Sequence, residues 1–347
     1  MSTEAAQQPQ ESSRSAAAQE QMNAHSTEHR PPALPPNRLY PSSFWRTLLG
    51  GLAALGLGLN VIFCVGFFVL PVAVIKLICP SPSWLRDRCD RLLARIANMW
   101  IDINGLLQRV TQRTTWDVQG IEQLQRYGWY LVTCNHQSWV DIMVLQRVLH
   151  RKVPLLKFFL KQQLIYVPFM GFAWWALDFP FMKRRSREYL DQHPEQRGQD
   201  LAATRRACER FSRVPTSVIN FLEGTRLTAA KHAAQSSPYR HLLRPKAAGL
   251  ALAVQALGDK FSSLLSVNIL YPDGIPSFWH FLSGRVPRIV VRIHRVTIPD
   301  SLLSGDYEGN SEYRAQFQAW VNALWQEKDA QLAVLAANYP CRQIVSK

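Results

Sequence analysis

Acidic side chains are scarce in this chain, and from Leu48 to Ile75 charge of either sign is missing altogether. Only 25 Asp and Glu face 40 Lys and Arg, a formal net charge of +15 over 347 residues. That balance calls for an anionic partner: nucleic acid, an anionic membrane surface or a phosphorylated substrate. Also missing is any CxxC pair or metal-ligand spacing among Cys64, Cys79, Cys89, Cys134, Cys208 and Cys341. Zinc-ribbon and dithiol redox chemistry are thereby excluded, and the thiols read as reduced ones facing a cytosol-like compartment. Neither His, Asp nor Glu clusters at ligand spacing, so no metal is expected. There are no repeats, no zinc finger and no stacking-aromatic motif, which argues against nucleic acid as the partner.

What the chain does have is sharply partitioned. Residues 1–40 are rich in Gln, Glu, Ser, Ala and Pro and almost devoid of large apolar side chains, so they are expected to form a disordered tail. The uncharged run LLGGLAALGLGLNVIFCVGFFVLPVAVI follows, too long for a soluble core helix, and residues 44–78 are expected to insert in a membrane. Two forms fit equally: a single span, or a two-helix hairpin breaking near Asn60 and Pro71. Lys76, Arg86, Arg88, Arg91 and Arg95 crowd the carboxyl side of the run, and the positive-inside tendency then keeps the body of the chain in the cytoplasm. Residues 80–112 carry Leu85, Leu92, Leu93, Ile96, Trp100, Ile103 and Leu107 at helical spacing, an amphipathic linker helix that lies on a membrane or packs on a core.

From residue 113 to 347 strand-like and helix-like segments alternate: 129–133, 139–149, 217–222, 247–257, 264–271 and 288–296. The pattern predicts an α/β domain, closed by a helix bearing Tyr313, Phe317, Val321 and Trp325 on one face.

Two polar breaks stand at the carboxyl ends of apolar strands, where open α/β sheets place ligands. The first is CNHQSWVD, Cys134 to Asp141. On a regular helix its His136 and Asp141 would lie about 140° apart. They meet only if Asn135 to Ser138 form a turn, and Asp141 would then fix the imidazole tautomer and leave the other nitrogen free to take a proton. The same residues also read as a plain helix start, with Ser138 as N-cap and Asp141 favoured by the helix dipole. The second break is NFLEGTR, Asn220 to Arg226. Gly224 and Thr225 offer backbone N–H groups, Arg226 a guanidinium suited to phosphate, and Glu223 a carboxylate to hold that guanidinium. Between them GFAWWALDFPFMKRRSR joins aromatics to Lys183 and Arg184, cations that would stand near a phosphate.

In this order the segments resemble the phospholipid and glycerol acyltransferase family. NHQSWVD matches the NHxxxxD signature at Asn135, His136 and Asp141; FLEGTR matches the FPEGTR-like signature at Phe221, Glu223, Gly224, Thr225 and Arg226; FMKR matches the end of a middle motif at Phe181 and Arg184. Two positions depart: Asp178 stands where the middle motif usually opens with glycine, and Ser266 where the last motif usually has proline.

The resemblance implies a glycerolipid acyltransferase-like fold with a mixed sheet, preceded by the membrane-inserted N-terminal segment. It implies that His136, oriented by Asp141, is the general base on a lysophospholipid hydroxyl that attacks an acyl-CoA or acyl carrier protein thioester, with no cofactor. Asn135, Lys183, Arg184, Glu223, Gly224, Thr225, Arg226 and Lys246 are then the substrate-binding residues, with membrane phospholipids as neighbours. The expected location is the cytoplasmic face of a bacterial inner membrane. The rivals are a non-catalytic lipid-binding protein and a membrane-tethered nucleic-acid binder, marked by salt-dependent DNA retention without acyl transfer.

Overall fold

A computed structural model describes residues 43–79, 84–182, 215–257, 261, 263–307 and 309–340. The expected tail, residues 1–40, lies outside them, as do Lys183 and Arg184.

The apolar run folds as one continuous helical rod: α1 (Ser43–Phe63), a π-helical turn (Cys64–Val69) and α2 (Leu70–Ile78). The wide turn has a local cause in Pro71, which has no N–H to give to the preceding turn. A hairpin break inside the run is therefore not found. The chain reverses only after Ile78, and α3 (Trp84–Thr111) packs back along the rod. Asn60 fixes that pairing: its Nδ2 donates to Asn104 Oδ1 at 2.8 Å and to the Trp100 carbonyl at 3.1 Å. A buried amide pair between apolar helices specifies register, because any slip strands two polar groups. The outward face stays apolar, with Leu52, Leu55, Leu59 and Phe67 exposed, and Phe44–Ile78 is long and apolar enough to cross a membrane.

Beyond the rod lie strands β1 (Thr115–Gln119), β2 (Tyr130–Cys134), β3 (Leu156–Phe158), β4 (Leu160–Lys161), β5 (Phe181–Met182), β6 (Ser217–Asn220), β7 (Ser263–Leu270) and β8 (Arg288–Val296). Six of them form one sheet in the order β1-β8-β7-β2-β6-β3, and β4 and β5 pair separately. The β7–β8 pair is antiparallel and the other neighbours are parallel, so the sheet is mixed.

Helices cover both faces: α4 (Val140–Leu149), α5 (Met170–Ala176), α6 (Ala229–Ala234), α7 (Ala248–Leu257), α8 (Phe278–Leu282) and α9 (Ser311–Asn338). Strand alternation divides the core. Tyr130, Val132, Val267 and Ile269 face one layer with Val144 and Leu145 of α4; Leu131 and Leu264 face the other with Leu250 of α7 and Phe317 of α9. Each such fully buried side chain contributes about 1.5–3 kcal/mol. Asn310 starts α9 by accepting from the N–H groups of Glu312 and Tyr313.

This topology decides where chemistry collects. Because β2, β6 and β7 run parallel as neighbours, the loops after Cys134, Asn220 and Leu270 leave from the same edge of the sheet.

The rod is tied to the domain through Lys76. Its ammonium donates to the Ala176 carbonyl and to Asp178, and it also pairs with Asp90 of α3 at 2.7 Å. Asp178 has φ 56°, the left-handed region, which accounts for the glycine usual at this place in the family's middle motif. Here the side chain that replaces glycine is held by a salt bridge.

Candidate active site

The loop after β2 turns sharply so that α4 begins at Val140. Asp141 reaches back over that turn: its Oδ2 accepts from the N–H groups of Gln137 at 2.7 Å and Ser138 at 2.9 Å, and stands 2.9 Å from His136 Nδ1. The carboxylate thus braces the turn ahead of α4, while Ser138 does the capping expected of it, its Oγ accepting from the Val140 N–H at 3.1 Å and donating to the Pro276 carbonyl at 2.6 Å. With Oδ2 acting as acceptor toward three donors, the proton of the neutral imidazole sits on Nδ1, and Nε2 keeps its lone pair. Phe221 stacks on the imidazole at 4.1 Å between centroids, which holds the ring plane.

Asn135 was expected to bind substrate, and the structure corrects this. Its amide is taken up by β7, donating to the Ile269 carbonyl at 2.9 Å and accepting from the Ile269 N–H at 2.8 Å. It staples the histidine loop to the central strand.

Glu223 was expected to hold Arg226, and that too is corrected. The fully buried carboxylate accepts from the His136 N–H at 2.8 Å and from the Leu243 N–H at 2.9 Å, bridging two loops. Burial pushes its pKa up to about 7, against the pull of those two N–H groups. Behind it Lys328 of α9, also fully buried, donates to Ser266 Oγ and the Val267 carbonyl; burial lowers its pKa to about 8. Ser266, in place of the usual proline, thus serves as an acceptor in the middle of β7.

Gly224 turns the second loop with φ 68°, a conformation open to glycine at no steric cost. Arg226 is held by an aromatic face: its guanidinium lies 4.9 Å from the ring centre of Trp139, a residue of the histidine loop. Thr225 Oγ1 accepts from Lys231 Nζ at 2.6 Å, which puts a second cation beside the arginine. Lys246 is not drawn in. Its side chain is exposed, and among the described residues its N–H donates to the Leu222 carbonyl at 2.8 Å.

His136, Trp139, Gly224, Thr225 and Arg226 line a cavity of about 820 Å³. Its lining also takes in Trp100 and Ile101 of α3, Phe158 and Leu160, Ala173 and Trp174 of α5, and Cys64 and Val69 of the π-helical turn. The walls are largely apolar. Among the described residues no group of three or more His, Cys, Asp and Glu is placed to hold a metal ion.

A histidine beside a carboxylate, at the carboxyl edge of an α/β sheet and next to a cation and a largely apolar cavity, is the class of arrangement that general-base chemistry on an apolar, anionic substrate requires. The comparisons narrow that class. The Acyltransferase family model matches residues 115–270, which supports the phospholipid and glycerol acyltransferase family, a family of O-acyltransferases. It is 27% identical over 289 residues to the human 1-acyl-sn-glycerol-3-phosphate acyltransferase gamma, covering 77% of this chain and 71% of that one. To the 2-acyl-1-lysophosphatidylinositol acyltransferase of Saccharomyces cerevisiae it is 27% identical over 244 residues, 57% of this chain and 59% of that one. The crystal structure of the 1-acyl-sn-glycerophosphate (LPA) acyltransferase PlsC of Thermotoga maritima matches with a TM-score of 0.49 at 18% identity, covering 84% of this chain and 95% of that one.

Proposed function

We propose that the protein is a membrane-bound acyltransferase that moves a fatty acyl group from an acyl-CoA or acyl carrier protein thioester to the free hydroxyl of a lysophospholipid, 1-acylglycerol-3-phosphate or a relative of it. The observation that carries the reading is the His136–Asp141 pair, 2.9 Å apart, with His136 on the lining of a largely apolar cavity. His136 Nε2 takes the proton of the acceptor hydroxyl as its oxygen attacks the thioester carbonyl. The tetrahedral intermediate collapses, the carbon–sulfur bond breaks, and the proton passes from the imidazole to the leaving thiolate. Help of this kind is typically worth about 10² to 10⁴ in rate. Arg226 with Lys231 beside it supplies charge for the acceptor phosphate, and the apolar cavity supplies room for an acyl chain.

The apolar rod supports membrane attachment, since an acceptor that stays in the bilayer reaches the site sideways. The cations on the carboxyl side of the rod support a cytoplasmic face, and we place it at a bacterial inner membrane. The test is acyl transfer by the detergent-purified protein from labelled acyl-CoA and acyl carrier protein of graded chain length to a panel of lysophospholipids. Transfer to a phosphate-bearing acceptor is the expected result; no transfer from either donor to any acceptor contradicts the reading.

A further inference from the structure

Three of the four donors that Asp141 receives come from its own loop: His136 Nδ1 and the N–H groups of Gln137 and Ser138, all on Oδ2. Bonds to one oxygen from one short loop leave the carboxylate free to pivot about them. The other oxygen has a single partner from elsewhere in the fold. Tyr271, buried at the end of β7, donates its hydroxyl to Asp141 Oδ1 at 2.7 Å. The two loops are fastened on either side of that contact, by Asn135 to Ile269 and by Ser138 Oγ to the Pro276 carbonyl.

We propose that Tyr271 is a positioning residue for this reaction: its hydroxyl anchors the oxygen of Asp141 that His136 does not use, and so keeps His136 Nε2 aimed into the cavity. The inference rests on reading His136 as the base. Tyr271 remains a donor throughout any working range, because burial and the charge of Asp141 drive its hydroxyl pKa well above the ordinary tyrosine value. The other titratable groups around the pair are Cys134 of β2, Glu223 after β6 and Lys328 of α9.

The test compares Tyr271→Phe with His136→Ala in the full-length protein in detergent. The phenyl ring keeps its place in the core, so the variant is expected to fold, as thermal unfolding will show. A charge-assisted hydrogen bond lost from the orienting carboxylate lowers kcat roughly tenfold. Acceptor KM is expected to stay unchanged, a split between kcat and KM that a merely structural loss would not give. Incorporating 4-aminophenylalanine at position 271, which keeps an N–H donor on the ring, is expected to recover most of the rate. Wild-type kcat in Tyr271→Phe, beside an inactive His136→Ala, overturns this inference alone. Equally, if Tyr271→Phe does not fold, an inactive 4-aminophenylalanine enzyme that folds overturns it. Full activity in His136→Ala overturns the base reading instead.

Discussion

The carboxylate of Glu223 lies 2.8 Å from the backbone N–H of His136, so a residue of the arginine loop holds the histidine loop by its main chain. The two signatures are one structure. One carboxylate bridges both loops, and Leu243 on the far side of Glu223 brings a third segment into the same bond network.

Glu223 makes stability depend on pH with a definite sign. Its folded pKa is raised to about 7, above the ordinary 4.5, so the native state binds the extra proton. Stability therefore falls as pH rises from about 4.5 through about 7, by roughly 3 kcal/mol for this group alone. Thermal unfolding at pH 5 and pH 8 measures it: Glu223→Gln is expected to show a smaller loss across that interval than wild type. An equal loss contradicts the assignment.

Arg226 and Trp139 are expected to act on acceptor binding more than on chemistry. Arg226→Ala should raise acceptor KM by tenfold or more, and Arg226→Lys should recover only part, since a lysine neither forks onto a phosphate nor stacks as a plane. Trp139→Ala should raise KM by a smaller factor, about threefold for a cation–π contact of 0.5–1 kcal/mol, with Trp139→Phe close to wild type. Initial rates against acceptor concentration separate these outcomes.

Lys76 is the tie whose loss should cost most. Lys76→Met takes from Asp90 and Asp178 the ammonium they share and leaves Lys157 as the cation nearby, a change worth up to about 3–5 kcal/mol when the pair is buried. Asp178→Gly removes one carboxylate, leaves Lys76 its partner Asp90, and relieves a non-glycine residue at φ 56°. It should therefore cost much less. Unfolding midpoints of the two variants in the same detergent test the order.

Much of this site was legible in the sequence because both motifs close apolar strands. YLVTC and SVIN each end in polar residues, and strands of a largely parallel sheet deliver such ends to one edge. Legibility stopped where a side chain acts across the fold. Tyr271 follows β7 much as Asn135 follows β2, yet a lone tyrosine after a strand carries no spacing to mark it. Glu223 was assigned to Arg226 on adjacency, and Asn135 to substrate on its place in the signature, whereas burial commits both to backbone groups of other segments. Trp139 and Lys231 show the same limit, since their partners on the arginine loop are set by tertiary packing. The apolar rod was legible as helix but not in its path: Asn60 and Pro71, read as places to turn, prove to be a register pin and a π-helical turn in an unbroken helix.

The account stands or falls on His136 Nε2 as the base. The direct measurement is kcat for acyl transfer in His136→Gln beside wild type, at saturating donor and acceptor, on protein shown by thermal unfolding to be folded. A fall of about 10² to 10⁴ with acceptor binding retained is the predicted result; a kcat within twofold of wild type contradicts it.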